Sequence, residues 1–380
     1  MANSIEQTRE RLRAAMPVAR KWAYFDHAAV APLTQPATDA LGKWLAQAGE
    51  EGDTVWLEWA AQLKQCRQTA AAMIGAGEGD IALVPNTTAG INFVAEGMDW
   101  RSGDNLVTLA DEFPTNLYPW LNLAKLGVET RLVTTDDGRV SPEQIAEYCD
   151  DRTRVVSVSW VGYANGCRRP LKAIADVAHD CGALFLVDAI QGLGVFPIDV
   201  KAEEIDVLAA DGHKWLLGPE GAGIAYVHPG WLERLKPIGI GWNSVVNAGQ
   251  FDQVDLQLKS TAARYEGGTY NMPGFIGLAA SLELLVSLRT PNLAAAILEY
   301  TDVVCMELAQ RGAVIHSPRD GEERSGIVSF TLPGCDPQVL RKQCLAQGVA
   351  LNCRAGRLRL SAHAYNNAGD LDRLLSSLQV

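Results

Sequence analysis

A chain of 380 residues, 48% hydrophobic and 21% charged, holds two ordinary domains or one large one and buries a sizeable core without disulfides or metals. Its 33 basic residues against 45 acidic ones leave a net charge of −12, which argues against general nucleic-acid binding and against a polybasic membrane contact.

In chain order, the first 22 residues form a charged amphipathic stretch without the apolar centre of a signal peptide. No apolar run is long enough to span a membrane, so the expected location is cytoplasmic, with no membrane partner. Short β-rich runs follow at Ile81–Val84, Asn105–Leu109, Arg131–Thr134, Arg154–Val161, Ala183–Asp188, Val207–Ala210 and Gly223–Val227. Helical spacing separates several of them: after Pro170 the apolar positions Leu171, Ile174, Val177 and Ala178 share one face. Short apolar strands alternating with helices predict an α/β fold with a mostly parallel seven-stranded sheet between helices. From Asn271 the rhythm changes to two long helices, Ile276–Leu288 and Pro291–Gln310. Strand-like segments at Gly326–Leu332 and Arg357–Ser361 and a helix at Asp370–Leu378 complete a smaller α+β domain. The expected division is 20–288 for the large domain, with 1–19 and 289–380 forming the small one. The eight cysteines make no CxxC pair, so no metal site is indicated.

The densest chemistry lies in residues 183–227. An apolar strand delivers Asp188 at its carboxyl end, and a second runs into Asp211-Gly212-His213-Lys214. Ligands of open α/β sheets bind at such strand ends. On their own, each of these residues has a plain reading: a lysine is usually a solvated surface residue, and an Asp after a strand is often a helix cap.

Together they resemble the class V aminotransferase and cysteine desulfurase family of fold-type I pyridoxal-phosphate (PLP) enzymes. The resemblance is carried by Val187-Asp188-Ala189-Ile190-Gln191 and Gly212-His213-Lys214. It extends through Asn86-Thr87-Thr88-Ala89-Gly90, Glu112-Phe113-Pro114-Thr115-Asn116, Glu266-Gly267-Gly268-Thr269-Tyr270-Asn271 and Arg357-Leu358-Arg359-Leu360-Ser361. It therefore covers the chain from Tyr24-Phe25-Asp26 to the last helix.

The resemblance implies pyridoxal 5'-phosphate as cofactor, with Lys214 as the amine that forms the Schiff base and then moves the substrate Cα proton. Asp188 is implied to keep the pyridine nitrogen protonated. Gln191 would bond the ring hydroxyl, and Phe113, otherwise an ordinary core residue, would stack on the ring. Thr87, Thr88 and His213 would hold the phosphate at a helix N-terminus. Asp211 stands where relatives often carry a phosphate-binding Ser, and Trp160 where many carry an Asn or His beside the ring hydroxyl. Arg359 would clamp the substrate carboxylate. His27 and His363 fall in loops that line the site in relatives and are candidate substrate contacts. Thr269 would reach the phosphate of a neighbouring subunit, which implies a homodimer with shared active sites.

Which reaction follows is less constrained, because the fold hosts several. Cysteine desulfurases carry a nucleophilic Cys on a loop before the substrate arginine and a His over the ring. Here Phe113 takes the ring position, and the loop around Cys353 is too short, although Arg354 beside it would lower its pKa. The chain is more similar to the isopenicillin-N-epimerase-like branch, through Gly241-Trp242-Asn243-Ser244-Val245 and Gly356 to Asn366. The first expectation is an aminotransferase-type enzyme acting on an amino acid or related amine. The alternatives are an epimerase or racemase, a carbon–sulfur or carbon–carbon lyase including a desulfurase, and a non-catalytic PLP-fold binding protein.

Overall fold

The structure, a computed structural model, describes residues 4–378. Thirteen strands occur among them: β1 (Ala23–Tyr24), β2 (Ile81–Val84), β3 (Asn105–Leu109), β4 (Glu129–Val133), β5 (Thr153–Ser159), β6 (Leu184–Asp188), β7 (Val207–Asp211), β8 (Gly223–Val227), β9 (Val314–Ile315), β10 (Ile327–Thr331), β11 (Val349–Ala350), β12 (Asn352–Arg354) and β13 (Arg357–Ser361). Seven of them make one sheet in the order β2-β8-β7-β6-β5-β3-β4. Its pairings are parallel from β7 through β4, and β8 runs antiparallel to both β7 and β2. The expected mostly parallel α/β sheet is therefore present. Its central strands are buried along their whole length, which is why they read as unbroken apolar runs rather than alternating ones.

Helices cover both faces of this sheet, and an apolar cluster lies on each side. Helix Met272–Leu288 packs against Gln35–Glu50 and Trp56–Met73. A third apolar cluster belongs to the second sheet, ordered β12-β13-β10-β9 and antiparallel throughout. Strand β1 pairs with β11 beside it, and Asp26 bridges to Ser361, so the segment after the first helix runs along the small sheet. No single helix among the described residues is long and apolar enough to cross a membrane.

Candidate active site

A cavity of about 470 Å³ opens where the carboxyl ends of β5, β6 and β7 meet helix Thr87–Ala95 and the β12–β13 hairpin. Lys214 and Asp188 both line it, 9% and 2% exposed. Gly212 makes the approach to Lys214 possible, since a Cβ there would sit 2.4 Å from the Ala222 carbonyl oxygen. Burial pushes the Lys214 ammonium below its ordinary pKa against the pull of Asp188, and Arg359 pushes the same way as burial. Burial also raises the Asp188 carboxyl well above the usual range, with Glu112 adding to it and Lys214 opposing. Asp188 accepts from the Ile190 backbone N–H at 3.1 Å, an Asx turn that fixes the carboxylate.

At the other end of the cavity, Asn86 caps helix Thr87–Ala95 by accepting from Ala89 N–H, and Thr87 and Thr88 form its first turn. The Thr87 hydroxyl accepts from Asp211 N–H at 3.0 Å and keeps its own proton free to donate. The Thr88 hydroxyl shares a proton with Thr115 at 3.0 Å. His213 Nδ1 lies 3.0 Å from Asp211 Oδ2, close enough for an ion pair but off the angle of a good hydrogen bond. Unpaired N–H groups at a helix start and these hydroxyls form an anion cradle.

Phe113, 43% exposed, presents its ring to the cavity, with Lys214 Nζ 5.7 Å from the ring centroid and Tyr163 edge-on at 5.2 Å. Gln191 also lines it; its amide donates to Ala28 O and accepts from the Trp215 indole.

The wall opposite is the β12–β13 hairpin. Its two turn residues, Ala355 and Gly356, both have positive φ, 47° and 72°, the geometry of a tight two-residue turn. Cross-strand partners share a face, so Asn352 and Arg354 project with Arg359 and Arg357, while Cys353 and Leu358 project the other way into the apolar core. Arg359, 1% exposed, donates to Tyr163 O at 2.8 Å and to Asp26 at 3.3 Å. Its Nε is buried without a partner. Burial lowers its pKa to about 10.

Several expectations change here. His27 and His363 are fully buried and line no part of the cavity. His27 bonds Ser361 O and the Tyr365 hydroxyl, and His363 bonds Trp215 O and Ala364 N–H. They hold the backbone behind Lys214 instead of facing substrate. Trp160 is turned away as well: its ring fills the space beside Gly192 and packs on Phe196, and Tyr163 is the residue of that turn that reaches the cavity. The Cys353 thiol bonds Pro337 O, and burial raises its pKa, outweighing Arg354. Thr269 is exposed and outside the cavity of its own chain. Sequence reasoning gave no role to Asp26, Asn352, Ser159 or Tyr163. Asp26 and Asn352 meet only through sheet packing, at 2.7 Å. Ser159 is pinned by the buried Glu112, which accepts from both its N–H and its hydroxyl.

These residues fit pyridoxal phosphate. Asp188 is a buried carboxylate with no cationic side chain within 4.0 Å among the described residues, the setting for a protonated ring nitrogen. The helix cradle suits the phosphate, and the orphaned Arg359 Nε suits a carboxylate beside it.

Comparison with known proteins agrees. The family profile of aminotransferase class V matches residues 23–374. A probable cysteine desulfurase of Methanothermobacter thermautotrophicus is 31% identical, over 97% of each chain. A cysteine desulfurase of Escherichia coli O127:H6 is 30% identical, over 94% of this chain and 92% of that one. The apo structure of cysteine desulfurase from Thermococcus onnurineus NA1 superposes with a TM-score of 0.90 at 25% identity, over 100% of this chain and 98% of that one. A mutant of C-DES with glycine covalently linked to its PLP cofactor shares the fold, with a TM-score of 0.91 at 23% identity over 96% and 98% of the two chains. These names lie nearer the carbon–sulfur alternative than an aminotransferase or an epimerase.

Proposed function

The chain belongs to the class V aminotransferase family and is a pyridoxal 5'-phosphate enzyme; from that premise we propose that it cleaves a carbon–sulfur bond of a small α-amino acid by elimination, without a thiol nucleophile of its own. The observation that carries this reading is the arrangement of Lys214, Asp188 and Arg359 around one cavity that no cysteine lines among the described residues. The relatives named cysteine desulfurase support sulfur in the substrate.

The cofactor, when bound, supplies an electron sink for the pair left at Cα. Lys214 would anchor it and then carry the Cα proton on Nζ, and its lowered pKa makes the neutral, proton-accepting amine more available near neutral pH. Asp188 would hold a proton on the pyridine nitrogen by charge, Phe113 and Gln191 would position the ring, and Thr87, Thr88 and His213 would take the phosphate. Arg359, fixed by Asp26 and Tyr163 O, would hold the α-carboxylate so that the Cα–H bond faces Lys214. The pair left at Cα would become the Cα–Cβ double bond as the C–S bond breaks with its pair on sulfur; the proton held on Lys214 Nζ would pass to the departing sulfur, and water would release the enamine fragment as pyruvate and ammonia. Because the Ala355–Gly356 turn leaves no loop between the strands and Cys353 faces the core, the sulfur would leave on the substrate's own fragment.

Thr269 is assigned to the partner site of a homodimer. Six exposed apolar side chains between Ile240 and Leu256 support a covered surface near that segment.

The test is to mix the holoenzyme with L-cysteine and L-cystine and assay sulfide, persulfide and pyruvate. In parallel, Cα deuterium uptake and pyridoxamine formation are followed. Stoichiometric pyruvate with sulfide or persulfide is expected. Conversion to the pyridoxamine form without sulfur release establishes transamination instead, and Cα exchange with loss of chirality alone establishes epimerisation.

A further inference from the structure

Three arginines project from one face of the β12–β13 hairpin, and their partners differ. Arg357 pairs with Asp137 at 2.9 Å, and Arg359 pairs with Asp26 at 3.3 Å. Arg354 has no carboxylate within 4.0 Å among the described residues. It nevertheless lines the same cavity as Lys214 and Arg359 and is partly buried. One of its terminal nitrogens, Nη1, donates to Asn352 Oδ1 at 2.9 Å and to Cys353 O at 2.8 Å. The tight turn after it and the cross-strand pair Arg354–Arg357 fix where the guanidinium begins. The remaining N–H groups of this planar fork are left for a ligand.

The neighbouring groups already have their partners. Asp26 is shared between Arg359 and Asn352, and a substrate α-carboxylate would be held by Arg359. Neither leaves a counter-charge for Arg354. A guanidinium in a cleft selects a planar or tetrahedral oxyanion, which it can hold by two parallel hydrogen bonds.

We infer that Arg354 is a specificity residue that binds a second oxyanion, on the side chain of the substrate. The substrate class is thus an α-amino acid whose sulfur-linked side chain ends in an oxyanion: a carboxylate carried beyond the sulfur, or an S-sulfonate. This rests on the reading of the cavity as an amino-acid site and goes beyond it by naming the side chain.

The experiment titrates the holoenzyme with matched pairs of L-amino acids: S-sulfocysteine against S-methylcysteine, S-carboxymethylcysteine against its amide, and aspartate against asparagine as a pair without sulfur. Binding is read from the cofactor absorbance and, independently, from the heat of binding. The acidic member of at least one pair should bind ten or more times tighter than its neutral partner. R354Q should bring that ratio below about three, and R354K should retain part of it, whereas R359Q should weaken both members together. Raising ionic strength should reduce the wild-type ratio. Equal binding within every pair, or a ratio that survives R354Q, overturns the assignment of Arg354 and leaves the amino-acid site standing. If no amino acid of either kind perturbs the absorbance or gives heat, the amino-acid reading fails and takes this inference with it. Native elution and unfolding curves of R354Q distinguish a folded variant from a collapsed one, and R354K supplies the ratio if R354Q does not fold.

Discussion

Asp26 and Arg359, 333 positions apart in the chain, meet at 3.3 Å, and the second oxygen of the same carboxylate accepts from Asn352 at 2.7 Å. One side chain from the segment before the large sheet thereby braces the hairpin that lines the cavity. Removing its charge leaves Arg359 buried with only a carbonyl oxygen and the orphaned Nε for company. Asp26→Asn is expected to lower the stability of the folded chain by on the order of 2 kcal/mol, measured as a denaturant midpoint. An amino-acid ligand should recover more of that loss in the variant than it adds to the wild type, because its carboxylate replaces the missing counter-charge. An unchanged midpoint would show that Asp26 does not support Arg359.

Lys214 is expected to be the one lysine that borohydride fixes to the cofactor, found by peptide mapping of the reduced holoenzyme. The other half of the pair gives a second readout. Asp188→Asn should keep the cofactor bound through the helix cradle and Lys214 but slow Cα–H exchange by about a hundredfold. Its neutral amide cannot hold a pyridinium proton by charge. Labelling at a different lysine, or exchange at the wild-type rate in Asp188→Asn, removes the assignment.

The parts of this molecule that were legible in the sequence are those set by local pattern. Strands β6 and β7 are buried on both faces, so their runs of apolar residues mark them unambiguously, and Asp188 and Lys214 follow at their ends. Strand β4 begins two residues before its expected start because it is an edge strand with exposed positions and a weak pattern. Helix Gln35–Glu50 was not anticipated, although Ala37, Ala40, Leu41, Trp44 and Ala48 recur at helical spacing; Ala37 alone is buried, and Ala40, Trp44 and Ala48 pack partly covered against the core. The site residues that escaped notice meet through tertiary packing. No spacing rule joins Asp26 to Asn352, or puts Tyr163 rather than Trp160 into the cavity. His27 and His363 were candidate substrate contacts because they fall in loops that line the site in relatives; both rings are fully buried and bonded to the chain itself.

Those two histidines make stability depend on pH. Burial depresses His27 to about 3 and His363 to about 4. Above pH 6.5 both are neutral in the folded and the unfolded chain, so the stability they allow is fully present. Below that, the unfolded chain takes up two protons that the folded chain refuses. Stability then falls as pH falls, by roughly 2 kcal/mol for each histidine at pH 5. The buried Asp188, raised toward neutral pH, acts with the opposite sign, so the histidine contribution is read as a difference: between pH 8 and pH 5 the wild type should lose stability relative to His363→Gln with a slope of about one proton. An unchanged difference between the wild type and His363→Gln through that window means that the His363 ring is protonated in the folded state.

Cys353 is expected to be dispensable for the reaction. Its thiol points into the core of the small sheet and donates to Pro337 O, and burial holds it in the protonated form. Cys353→Ala should leave turnover within about twofold while costing about 1 kcal/mol of stability through the small cavity it leaves. Loss of sulfur release in a folded Cys353→Ala protein would restore the protein thiol to the mechanism.

Thr269 provides the last expectation: its segment is anchored at the base, while Thr269 itself lies outside the cavity of its own chain. Glu266 beside it is buried and accepts from Arg67, from Leu83 N–H and from the Tyr270 hydroxyl at 2.6 Å. Asn243 donates to the same hydroxyl at 2.8 Å. Gly267 lies against the backbone of Gly239 and Gly241 so closely that a Cβ would sit 2.0 Å from the Gly239 carbonyl oxygen. The segment is therefore rigid at its base, while Thr269 at its tip faces solvent. A fixed, exposed hydroxyl suits a phosphate on a second subunit. Mixing Lys214→Ala subunits with Thr269→Ala subunits should give hybrids with one intact site and one doubly damaged site. The hybrids should therefore recover activity above a Thr269→Ala parent that is itself impaired. Sedimentation should show a dimer that resists dilution better with the cofactor than without it. An active monomer, or hybrids no better than the impaired parent, would place Thr269 outside the site and leave the rigid Glu266 network as support for its own fold alone.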